Sequence, residues 1–112
     1  MLKELIGKIL INIEDLDGEE LVFICSDGSK YAMYHSQECC ESVRVEDIIG
    51  DLEDLLHSEL LVAEERSESG DTDYGSYTYT FYEFATIKGS VTIRWYGTSN
   101  GYYSERVNFK KI

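Results

Sequence analysis

Residues 45–57 read VEDIIGDLEDLLH, and whether that stretch coils or extends decides the fold class. Its apolar residues Ile48, Ile49, Leu52, Leu55 and Leu56 recur at i, i+1, i+4, i+7 and i+8, the spacing of one helix face. Asp47, Asp51 and Asp54 then line the other face, with Glu46 at the start. Gly50 weakens such a helix by about 1 kcal/mol relative to Ala, and like charges four apart cost a few tenths more. A helix at about 46–57 is expected, held by a sheet.

On either side of it the period is two. Asp17-Gly18 separates GKILINIED from ELVFICS, and Asp27-Gly28 separates that run from SKYAMYH. Asp-Gly between β-prone runs is a favoured hairpin turn, because both residues tolerate positive φ. A three-stranded meander is expected at about 7–15, 20–26 and 29–35. Residues 59–66 (ELLVAEER) read as another strand, and SESGDTDYGS as a mobile acidic loop. SYTYTFYEFATI then alternates Tyr77, Tyr79 and Phe81 on one face with Thr78, Thr80 and Tyr82 on the other. Turns at Lys88-Gly89 and at Gly97–Gly101 lead through SVTIRWYG into YYSERVNFKK, a second meander. The expected class is α+β: a single domain over 1–112, with an antiparallel sheet of about six to seven strands in two meanders and one amphipathic helix.

Charge narrows the partners. The chain has 112 residues and a formal net charge of −12, and residues 38–73 hold thirteen acids against Arg44 and Arg66 alone. Such a field repels phosphates, which disfavours direct nucleic-acid binding, and it attracts basic surfaces. No apolar run approaches the roughly 18 residues that span a bilayer. An odd cysteine count with an adjacent pair (Cys25, Cys39, Cys40) is a poor disulfide framework and points to a reducing compartment with three free thiols.

Three candidate sites follow. In YHSQECCE, Tyr34, His35, Cys39, Cys40 and Glu41 crowd together. His35 and Cys39 have zinc-ligand spacing, with Cys40 or His57 as a further ligand. Adjacent side chains on extended backbone diverge, however, so no metal and no other cofactor is expected. A thiol nucleophile would be opposed by Glu38 and Glu41. In RWYGTSNGYYSER, Arg94, Tyr96, Asn100, Tyr102 and Tyr103 form an aromatic-plus-Arg group of the kind enriched in binding hot spots. Trp95 alternates away with Val91 and Ile93 toward the core. The third site is the acidic helix face of Glu46, Asp47, Asp51 and Asp54, an electrostatic docking surface.

At YHSQECCESVRVEDIIGDLEDL and IKGSVTIRWYGTSNGYYSERV, and again at LIGK and TYTFYEFATI, the chain resembles an uncharacterised family of small acidic proteins encoded by bacteriophages and bacterial mobile elements. That resemblance implies a bacterial host cytoplasm and no catalytic residues. The resulting expectation is a binding protein that blocks a host nucleic-acid-binding or defence protein, its partner being a basic protein or nucleoprotein surface. The alternative is a small-molecule, nucleotide-like binding module using the Arg/Tyr hairpin with Tyr34 and His35. A Cys/His metal or thiol enzyme is the third reading. Oligomeric state is not encoded in any of these patterns.

Overall fold

A computed structural model describes residues 2–112. Eight strands form two antiparallel four-stranded sheets: β1 (Leu10–Leu16), β2 (Glu20–Cys25), β3 (Lys30–Tyr34), β4 (Ser42–Ile49), β5 (Val62–Thr72), β6 (Gly75–Thr86), β7 (Gly89–Ser99) and β8 (Asn108–Lys111). The first sheet runs β1-β2-β3-β8 and the second β4-β7-β6-β5. Among the described residues the helical segments are two 3₁₀ turns, Leu2–Leu5 and Leu52–Leu55. The fold is therefore nearly all-β, and the expected α+β class with a helix at about 46–57 is overturned.

The five apolar residues do not share one element: Ile48 and Ile49 end β4, Ile48 against the core and Ile49 exposed, while Leu52 and Leu55 lie in the following 3₁₀ turn. In β4 the register against β7 shifts between Val45 and Asp47, so one extra residue changes the phase of the alternation. Val43 and Val45 before the bulge, and Ile48 after it, all reach the core. Gly50 at φ +109° ends the strand, and Asp51 caps the short turn by accepting the Glu53 amide at 3.0 Å.

The first meander forms as expected. Asp17 and Gly18 both take positive φ (57° and 73°), the backbone that the expected Asp-Gly turn demands, within a loop that spans residues 17–19 between paired Leu16 and Glu20. Two other expectations shift. The acidic stretch 67–76 is no mobile loop: it extends β5 and opens β6 around a turn at Asp73–Tyr74, with Thr72 opposite Gly75. The last segment does not continue the second meander. β8 crosses back to pair with β3.

The inner faces of the two sheets share one core. Leu21, Phe23, Tyr31 and Met33 from the first sheet meet Tyr82, Phe84, Ile93 and Trp95 from the second. Phe23 and Phe84 lie 5.6 Å apart between ring centroids. The Trp95 indole N–H donates to Met33 Sδ at 3.2 Å, across the sandwich.

Candidate functional site

With Trp95, Tyr82 and Thr80 turned inward, the alternate residues of the second sheet must face out. The registers line them up in rows. Asp47, Arg94, Phe81 and Arg66 stand opposite one another across β4, β7, β6 and β5, and Arg44, Tyr96, Tyr79 and Glu68 form the next row. Beyond these, Thr98, Tyr77 and Gly70 make a third.

The result is an aromatic centre. Tyr79 and Tyr96 have centroids 4.7 Å apart, Tyr77 meets Tyr79 edge-on at 5.8 Å, and Phe81 stacks near Tyr79 at 6.2 Å. Gly70 makes room for it: a Cβ there would come 2.6 Å from the Tyr77 hydroxyl. The Arg66 guanidinium lies 4.7 Å from the Phe81 ring centroid, a cation–π contact. Arg94 Nε lies 2.7 Å from Glu46 Oε1 and its Nη2 3.8 Å from Asp47 Oδ2. The first contact is a charge pair and not an aligned hydrogen bond. Burial and then the Glu46 charge push the Tyr79 phenol above its ordinary range, so it remains a hydrogen-bond donor.

Acids rim this centre. Glu46 and Asp47 lie on β4 and Glu64 and Glu68 on β5, the two edge strands, and Glu83 faces out from β6. A model of the domain of unknown function DUF7448 matches residues 3–109. The chain belongs to the DUF7448 family. No curated protein and no solved structure matches it.

Within this DUF7448 domain the residues expected from sequence divide among several places. Arg94 and Tyr96 sit on the outward face. Asn100, Tyr102 and Tyr103 lie past β7, where Asn100 Oδ1 accepts the Tyr102 amide at 2.9 Å and the two tyrosine rings meet edge-on at 5.2 Å. Tyr34 ends β3, with Lys110 Nζ 5.3 Å from its ring centroid. Glu46 and Asp47 belong to the outward face, but Asp51 caps the 3₁₀ turn and Asp54 gives its carbonyl to the Thr86 hydroxyl. Without the helix these acids share no common stripe.

The Cys/His group also separates. The His35 side chain is buried, with Nδ1 2.6 Å from the Arg106 carbonyl and Nε2 2.8 Å from Glu41 Oε2. Glu41 also accepts the amides of Glu38 and Cys39, each at 2.9 Å. Burial raises the Glu41 carboxyl, but these donors outweigh it and hold the pKa at about 2. Cys39 and Cys40 are joined in a vicinal disulfide, and Cys25 is free and buried, which departs from the expected three thiols. Among the described residues no group of three or more His, Cys, Asp or Glu is arranged to hold a metal, and no helix is long and apolar enough to cross a membrane.

Sequence reasoning missed Tyr77, Tyr79, Phe81 and Arg66 as partners of Arg94 and Tyr96. The signal was present. A tight turn near Lys88 puts β6 and β7 in a register that brings the outward residues of both strands to one face.

Proposed function

We propose that this chain is a binding protein that docks the outward face of its second sheet onto a basic protein surface. The observation that carries the reading is the contiguous patch of Tyr77, Tyr79, Phe81 and Tyr96, with Arg66 and Arg94, enclosed by Glu46, Asp47, Glu64, Glu68 and Glu83. Tyrosine and arginine supply large contact area at binding hot spots. Ring faces accept guanidinium and ammonium groups, as Phe81 already accepts Arg66. The acids around them would steer a cationic partner into register.

The resemblance to proteins of bacteriophages and mobile elements supports a bacterial host partner in the cytoplasm. A host protein whose basic groove receives nucleic acid or serves defence would meet here carboxylates in place of phosphates. On this reading the protein blocks its partner by occupancy and performs no chemistry.

Capture from bacterial lysate tests it, with wild-type protein beside the Tyr79→Ala/Tyr96→Ala variant and, as control, Tyr102→Ala. The partner should be lost from the double variant and retained by the control, since truncating a hot-spot residue costs about 2 kcal/mol or more. Equal recovery of one basic partner by all three would count against the face.

A further inference from the structure

A cleft of about 830 Å³ opens on another side of the molecule, between β5 and β8. Both strands are at sheet edges, and the volume is in the range of small-molecule sites, roughly 300–1,000 Å³. Its two walls differ in charge. Arg106 and Lys110 stand on the β8 side, with Lys3 contributed by the 3₁₀ turn Leu2–Leu5, while Glu64 and Glu65 stand on the β5 side.

Among the described residues the cationic wall has no carboxylate partner, although Lys110 lies over the Tyr34 ring, its Nζ 5.3 Å from the centroid. Among the described residues, ion pairs within 4.0 Å involve Lys8, His35 and Arg94. The other arginines are engaged too: Arg44 donates to the Asp17 carbonyl at 3.0 Å and Arg66 lies over Phe81. The Arg106 guanidinium has no such contact among the described residues, although its backbone is fixed. Its carbonyl is held by His35 and its amide donates to Ser104 Oγ at 3.2 Å. In a chain with 22 acids and 10 bases, three cations line one cleft, and among the described residues no carboxylate lies within 4.0 Å of any. Aromatic surface adjoins them, from Tyr34 and Phe109. On the other wall, Glu65 Oε1 accepts the Tyr82 hydroxyl at 2.8 Å, which fixes that carboxylate.

We propose that this cleft binds a small phosphate ester carrying a planar ring with hydrogen-bond donors, such as a nucleoside monophosphate. The phosphate lies against Arg106, Lys3 and Lys110, where a guanidinium can grip two oxygens at once. The ring lies along Tyr34 and Phe109, and its amino or hydroxyl groups face Glu64 and Glu65. A dianion suits three cations without carboxylate partners better than a single carboxylate does. The site shares Glu64 with the rim of the docking face and otherwise rests on no part of that reading.

Titration of the full chain with adenosine monophosphate, inorganic phosphate and adenosine, followed by amide NMR shifts and calorimetry, tests the assignment. The monophosphate should shift residues 106–110 and 63–65. Inorganic phosphate should bind at least tenfold more weakly, and adenosine without measurable affinity. Arg106→Gln should weaken the monophosphate at least tenfold, and Lys110→Gln, which leaves the His35 contact untouched, at least threefold. No shift with the monophosphate, equal affinity for inorganic phosphate, or wild-type affinity in a folded Lys110→Gln protein would overturn it.

Discussion

Trp95 is fully buried, and its indole N–H is satisfied by the thioether of Met33 on the facing sheet. A buried donor left without an acceptor costs roughly 1–3 kcal/mol, whereas a Leu-for-Met exchange conserves volume and usually costs less than about 1.5 kcal/mol. Met33→Leu should therefore lower unfolding free energy by about 2 kcal/mol in urea melts, and an unchanged midpoint would show the contact to be idle. Glu41 makes a pH-dependent contribution. Its folded pKa, about 2, lies below the usual carboxylate value of 4.5. The carboxylate therefore stabilises the fold above about pH 4.5, and that stabilisation is lost as pH falls toward 2. Wild type should exceed Glu41→Gln in melting temperature at pH 6, and the two curves should converge as the pH is lowered through that window. A constant gap down to pH 2 would contradict it. Glu105 acts likewise: burial raises its carboxyl, but the hydroxyls of Ser76, Ser99 and Thr78 outweigh that and hold its pKa below the usual value. Sequence alternation revealed Trp95 as core. It could not reveal Met33 as its partner or His35 as the partner of Glu41, because those contacts join segments whose approach depends on how the sheets pack.

The strands of the first meander and the long β6–β7 hairpin were legible because Asp-Gly turns and strict alternation are local signals. The end of β4 was not, because Ile48 and Ile49 and the 3₁₀-turn residues Leu52 and Leu55 fall by chance into one helical spacing although they belong to two elements. Gly50 distinguishes the two readings by sign. In a helix, Gly50→Ala would stabilise by about 1 kcal/mol. Here Gly50 has φ +109° and an added Cβ would lie 2.7 Å from the Ser90 carbonyl oxygen, so the substitution should destabilise by about 1–3 kcal/mol. Thermal melts of Gly50→Ala decide between them, and a gain in stability would restore the helix. The acidic hairpin 62–86 was legible only in part, since Ser, Gly and Asp read as loop whereas cross-strand pairs such as Ser69–Thr78, with hydroxyl oxygens 3.1 Å apart, hold it extended. The candidate site shared that limit: Arg94 and Tyr96 were visible in sequence, but Tyr77, Tyr79, Phe81 and Arg66 join them only through pairing in register.

In the molecule as a whole, both edge strands of the second sheet carry acids. Glu46 and Asp47 lie on one edge strand, and Glu64, Glu65, Glu68 and Asp71 on the other. Charged edges discourage strand-to-strand aggregation, and the same charges frame the aromatic face. Exposed charges are screened beyond about 8 Å at physiological ionic strength, so docking of a basic partner should slow markedly as salt rises, with the off-rate changing less. The most direct measurement is an amide NMR titration of the wild-type chain with an oligo-arginine peptide at low and physiological salt, repeated on the Tyr79→Ala/Tyr96→Ala variant. The outward face should respond first, with the largest shifts at Tyr77, Tyr79, Phe81, Arg94 and Tyr96, and affinity should fall at least tenfold in the variant. Shifts scattered over all acidic segments, with equal affinity in the variant, would mean that the peptide follows charge alone and that the aromatic face is not a docking surface.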